Sequence, residues 1–135
     1  MYWAIKFIEG VPCISVSIGG LVTLTDIEAL NSGIVSDSHW KRGLGLLFDS
    51  TKVEYPKEPP IDMRTVVDTV AKMNGEFKQS KMAMVVATNV QYGLARQYQI
   101  LSESRGGSPV GVFRDDAAAI DWLRSDNSEV AASMH

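Results

Sequence analysis

From Lys81 to Arg124 the chain repeats one unit: an apolar run, a polar break and an amphipathic stretch, then the same three again. An amphipathic helix between two short apolar runs is the pattern of strand, crossover helix, strand. Strands joined in that way lie parallel, and the crossover is right-handed. Met82 to Ala87 reads as a buried strand, with Thr88 and Asn89 as helix starters after it. Leu94, Tyr98 and Leu101, with Ala95 between them, fall on one face of a helix that should end before Gly106 and Gly107. Pro109 to Phe113 reads as the last strand, at a sheet edge, because Pro109 donates no ladder hydrogen bond. Asp115 then caps a helix that buries Ala119, Ile120, Trp122 and Leu123.

The first half of the chain extends this pattern. Trp3 to Ile8 and the strictly alternating Cys13 to Ile18 flank Glu9, Gly10, Val11 and Pro12, which predicts a hairpin ending at Gly19 and Gly20. Thr25 and Glu28 have capping-box spacing, so a helix is expected near Asp26 with Ile27, Leu30 and Ile34 inward. Leu44, Leu46, Leu47 and Phe48 form an apolar run, which predicts a central strand ending at Asp49, Ser50 and Thr51. Lys52 to Pro60, with three prolines and four charges, reads as an exposed loop. From Asp62 onward Val66, Val67, Val70, Met73 and Phe77 recur at helical spacing, and Gly75 is expected to mark that helix's end. The expected fold is therefore α/β: about five strands in a mixed sheet, an antiparallel hairpin followed by parallel strands, packed with about four helices. One domain should span 1–124, with 125–135 a flexible tail.

Thirteen basic and sixteen acidic residues give a net charge of −3, and the lysines and arginines are scattered. That argues against nucleic acid, which needs a concentrated basic surface. No apolar run approaches the ~20 residues of a membrane span, so stable membrane insertion is not expected. Met1 through Phe7 contains Lys6 and is followed by Glu9, Gly10 and Pro12, which breaks any signal-peptide core. A single cysteine, Cys13, fits a reducing compartment, and a cytoplasmic location is expected.

The motifs of the second half carry a resemblance. Ala83 to Thr88, Tyr92 to Arg96, Val112 to Asp115 and Ala119 to Leu123 together resemble the SpoIIAA-like, or STAS-like, superfamily. The chain is most similar to its small stand-alone bacterial proteins, related in fold to CRAL-TRIO lipid-binding domains. Anti-sigma-factor antagonists of that superfamily are phosphorylated on a serine in an Asp, Ser, Ser, Gly pattern at a helix start. The corresponding stretch here is Ile61, Asp62, Met63, Arg64, Thr65, so Met63 and Arg64 stand where serines are expected. Thr65 is the substitute acceptor that the resemblance leaves, although a threonine one turn into a helix is more often a plain surface residue.

In open α/β sheets, ligands bind beyond the carboxyl ends of the parallel strands. That rule collects Asp49, Ser50, Thr51, Asp62, Arg64, Thr88, Asn89, Tyr92 and Arg96 as candidate ligand- or partner-binding residues. Each has a plainer role: Thr88 and Asn89 as caps, Asp49 as a cap for its own loop, Asp62 as a helix start. Asp37, Ser38 and His39 are too close in sequence to form a catalytic triad and read as a surface loop anchored by Trp40. Cys13 reads as an inert buried thiol. Gly43 and Gly45 precede a strand rather than follow one, so they suit close packing and not a dinucleotide turn. No metal-ligand spacing, phosphate loop or nucleophile elbow is present, so neither a metal nor a cofactor is expected.

The leading expectation is a non-enzymatic regulatory or binding module that recognises a protein partner or a small ligand at the strand ends. The second is a carrier of lipid or another hydrophobic ligand, with a pocket lined by Phe77, Met82 and Tyr98. The third is a small hydrolase or isomerase using Asp49 and Asp62. Tyr2 and Trp3 on the edge hairpin also offer a homodimer contact.

Overall fold

The structure, a computed structural model, describes residues 1–73 and 75–125. Strand β1 (Tyr2–Ile8) pairs antiparallel with β2 (Cys13–Leu21), as the hairpin pattern predicts. Strands β3 (Gly45–Glu54), β4 (Met82–Val85) and β5 (Val110–Phe113) follow in parallel, and the sheet order is β1-β2-β3-β4-β5. The apolar run of β3 lies at the sheet centre and β5 lies at an edge, both as expected.

Each crossover steps one strand in the same direction. With right-handed connections, that places all three crossover helices on one face. These are α1 (Leu24–Val35), α2 (Met63–Ala71) and α3 (Asn89–Ser104), and α2 packs against both α1 and α3. Beneath them lies the main core, with Ile14 and Val16 of β2, Leu46 and Phe48 of β3, Met82 of β4 and Val110 of β5. Burial of side chains of this size contributes roughly 1.5–3 kcal/mol each. Helix α4 (Asp116–Arg124) follows the last strand and packs on the other face, over β3, β4 and β5. There it meets Cys13, Leu47, Ala83 and Val85, the alternate residues of the same strands.

Small residues let α4 lie close. A Cβ on Gly45 would fall 3.3 Å from Leu123 Cδ2, so this glycine serves close packing. A Cβ on Gly111 would fall 2.6 Å from Phe113 Cε2 and 3.3 Å from Trp122 Cδ2. Gly111→Val is therefore expected to destabilise the protein by about 2 kcal/mol through overpacking. An unchanged midpoint in urea unfolding would show that α4 can shift to accommodate the larger residue.

Several boundaries differ from the sequence expectation. Helix α1 is capped by Thr23, whose Oγ1 accepts from Asp26 N, two residues before Thr25. Strand β2 runs through Gly19 and Gly20 to Leu21 because β3 continues to Glu54 beside it. The apolar run of β3 therefore does not stop at Asp49, and Lys52 to Glu54 are strand rather than loop. Helix α2 ends at Ala71, so Phe77 reaches the core from the turns that follow, not from the helical stripe. Gly75 lies in those turns with φ 76°, a left-handed conformation that suits glycine. Of the expected tail, Ser125 is described and its oxygens accept from Lys81 Nζ, at 3.2 Å for Oγ; 126–135 and His135 lie outside the described residues.

The readings of the loop from Asp37 to Trp40 and of Cys13 hold. Asp37 Oδ1 accepts from the backbone of His39 in an exposed turn, and Trp40 anchors it by donating from Nε1 to Glu76 at 2.7 Å. Cys13 is fully buried, which pushes its thiol pKa up and leaves it protonated and inert.

Candidate functional site: an apolar cavity at the strand ends

Strand β3 carries a local irregularity that shapes the site. Ser17 pairs with Asp49, but Gly19 pairs with Lys52, so β3 holds one extra residue between them. Asp49 Oδ1 accepts from Thr51 N at 3.1 Å and from Thr51 Oγ1 at 2.7 Å, which fixes this bulge. The bulge reverses the parity of the strand. Phe48 and Ser50 before it and Val53 after it therefore line the same cavity.

That cavity has a volume of about 120 Å³ and lies between the sheet and helices α1, α2 and α3. Its walls come from the carboxyl-end halves of the parallel strands (Ile18, Ser50, Val53, Met84, Val86) and from the helices above (Leu30, Asn31, Met63, Val66, Leu94, Ala95, Tyr98). Met82 and Tyr98 line it as expected, whereas Phe77 lines a separate depression beside Gly106 and Gly107. Val53, Tyr55, Ile61 and Leu94 also border a wider surface groove that includes Leu21, Lys57, Thr88 and Val90. Tyr55 and Ile61, at the two ends of the proline-rich loop, thus stand between the cavity and the outside.

Two tyrosines in this lining are held neutral by burial. Desolvation pushes the phenol of Tyr98 far above its ordinary range and raises that of Tyr55 as well. Tyr98 donates its hydroxyl to Met82 Sδ at 3.8 Å. An acid whose folded pKa exceeds its unfolded value of 10.0 keeps its stabilising contribution below about pH 10 and loses it as pH rises beyond. Thermal stability is therefore expected to fall steeply above about pH 10, and Tyr98→Phe should flatten the fall. An identical alkaline limb in the variant would assign the loss to other groups.

The candidate residues from the sequence do not gather in one place. Ser50 lines the cavity, and Thr51 supplies a carbonyl that accepts from Gln91 Nε2. Asp49 pairs in register with Ser17 and Val85, so it faces the α4 side. Asp62 caps α2 on the opposite face, accepting from Arg64 N at 2.9 Å. The two carboxylates consequently share no cleft. Thr88 caps α3, while Arg114 lies over the Tyr92 ring at 4.8 Å and donates to Asn89 Oδ1 at 3.0 Å. Arg96 is a correction: its guanidinium bonds Gln99 and borders a groove along the β5 edge with Val112 and Trp122, away from the helix start. Thr65 is exposed on the first turn of α2.

Gln91 was missed by sequence reasoning. It is 4% exposed, and its Oε1 accepts from Ala87 N and Thr88 N while Nε2 donates to Thr51 O and Val53 O. Its position three residues after Thr88 is the capping-box signature, which was available in the sequence. Asn31 was also missed, since a polar residue on a helix gives no sign of facing inward.

The strand order, the three helices on one face and α4 on the other can now be set beside known structures. An uncharacterised protein of the DUF3478 family from Shewanella loihica PV-4, described as having a SpoIIAA-like fold, superposes with a TM-score of 0.59. The match covers 90% of this chain and 92% of that one, at 18% sequence identity. This chain has a SpoIIAA-like fold. No family model and no curated protein sequence matches it. In this SpoIIAA-like chain, Met63 occupies the first position where the resemblance places a serine; it is buried and lines the cavity. Among the described residues no helix is long and apolar enough to cross a membrane, and no group of three or more metal-ligating side chains occurs.

Proposed function

We propose that this protein is a non-enzymatic binding module that takes a small apolar molecule into the cavity at the carboxyl ends of its parallel strands. One observation carries the reading: a cavity of about 120 Å³ with predominantly aliphatic, methionine and aromatic walls, set where open α/β sheets bind ligands. An engineered apolar cavity of ~150 Å³ stays dry and admits benzene, so the occupant is of that size. A complete long-chain lipid exceeds it, which narrows the expected lipid carrier to one of small apolar molecules. Asp49 and Asp62, on opposite faces of the sheet, give no support to a hydrolase.

Thermal unfolding of the full chain with benzene and cyclohexane tests the reading. A ligand at a hundred times its Kd stabilises by about 2.7 kcal/mol, so a clear rise in Tm is expected. Ala95→Leu places its added atoms on the cavity wall and should abolish the rise. No rise with either hydrocarbon in the natural chain would make the cavity a packing defect and end the proposal.

A protein partner at the same end is the second reading, favoured by Leu21 and Val90, which are 48% and 65% exposed on the outer groove. It predicts a co-purifying protein that Val90→Asp releases. Equal recovery of that protein with the variant would remove it.

A further inference from the structure

One cavity wall residue does not suit an apolar core. Asn31, in the interior of α1, is 5% exposed and lines the cavity, and its Nδ2 has no hydrogen-bond partner among the described residues. A buried amide donor loses its hydration on folding, and without a partner that loss is uncompensated. An apolar residue of similar size would avoid the penalty. A penalty present in the empty protein and removed by an occupant distinguishes a binding site from a core.

We propose that Asn31 is the specificity-determining group of this cavity, donating from Nδ2 to the oxygen of a small neutral carbonyl compound: a ketone, aldehyde or ester. This inference rests on the binding reading above and names its ligand class. The donor requires an acceptor, which a plain hydrocarbon lacks. Among the described residues the cavity lining contains no lysine, arginine or histidine, and the N-terminal ammonium of Met1 is already paired with Asp26 at 3.1 Å, so a carboxylate would enter without a free counter-charge, whereas a neutral carbonyl needs only the one donor. Tyr98 already directs its hydroxyl to Met82, which leaves the hydroxyls of Ser50 and Tyr55 as the other polar groups on the wall. A ring or short chain carrying one carbonyl matches both the volume and this sparse polarity.

Cyclohexanone and methylcyclohexane, nearly equal in size, are the probes. Titrated into the full chain and into Asn31→Leu, they form a cycle in which steric effects of the substitution cancel. Asn31→Leu should weaken cyclohexanone about tenfold relative to its effect on methylcyclohexane, the scale of one buried hydrogen bond. The unliganded variant should also melt a few degrees higher, because the unpaired amide is gone. Equal weakening of both probes overturns the role of Asn31 while leaving the cavity a binding site. Failure of both to bind the natural chain overturns the binding reading itself. A lower Tm in the unliganded variant would mean that the amide is already satisfied, and also overturns the inference. Should Asn31→Leu not fold, the side-chain amide resonance of Asn31 in the natural protein decides: it must shift with cyclohexanone and not with methylcyclohexane. A resonance unmoved by the ketone overturns the inference.

Discussion

Replacing Gln91 by leucine is expected to destabilise the protein by about 4 kcal/mol. The side chain satisfies two backbone amides and two backbone carbonyls, at distances between 2.8 and 3.1 Å. Each buried group left unpaired costs ~1–3 kcal/mol, and water at the exposed Ala87 and Thr88 recovers part of the amide share. The carbonyls of Thr51 and Val53 are the more serious loss. They belong to the stretch of β3 past the bulge, which among the described residues only the Gln91 side chain hydrogen-bonds to α3. A fall in Tm of about 15 °C is expected, with amide exchange rising first between Thr51 and Glu54. Because Val53 lines the cavity, the same variant should lose ligand-induced stabilisation. Gln91→Glu separates the two halves of the contact: it keeps the acceptor for the two amides and removes both donors. Burial favours the neutral acid, so that variant should recover stability as pH falls and lose it as pH rises. A Gln91→Leu variant with an unchanged melting curve would show that the extended part of β3 stands without this link.

Lys81→Met is expected to cost about 3 kcal/mol, with the damage centred on α4. Lys81 is 8% exposed, and its Nζ donates to the carbonyl oxygens of Trp122, at 2.9 Å, and of Leu123 and Ser125. These carbonyls lie at the C-terminal end of α4, where intrahelical donors run out; the Trp122 oxygen also accepts from the backbone and hydroxyl of Ser125, the cap residue. A cation placed there also meets the negative end of the helix dipole. The same ammonium lies 5.4 Å from the Trp122 ring, so the aromatic packing on Phe113 and the cap fail together. Methionine fills the volume, supplies no donor and leaves the carbonyls to water. Trp122 fluorescence should shift to the red in the variant before global unfolding. A variant that unfolds in one transition at the natural midpoint would mean that packing of Ala119 against Leu47, Ala83 and Val85 holds α4 unaided.

These two residues show why parts of the architecture were legible and parts were not. The caps Thr88 and Asp115 and the edge strand after Pro109 were readable because local chemistry decides them: a side chain bonds an amide three residues on, or a proline lacks a donor. Asp49, Ser50 and Thr51 were misread as a strand end for an equally local reason. Side chains that bond their own backbone suit a bulge as well as a turn, and only pairing with β2 and α3 decides which one forms. Arg96 was collected with the strand-end residues by the rule for open sheets, but the direction of its side chain depends on Gln99 and on the groove beside β5.

The sequence by itself determined the order of elements, the hairpin followed by parallel strands and the apolar stripe of each helix, since periodicity and capping act over a few residues. Tertiary structure alone decided that Asn31 Nδ2 is enclosed without a partner among the described residues, that Asp49 and Asp62 lie on opposite faces, and that the β3 bulge aims Ser50 and Val53 into one cavity. A cavity is the space left where side chains from three helices and three strands fail to meet, and no local pattern encodes that volume.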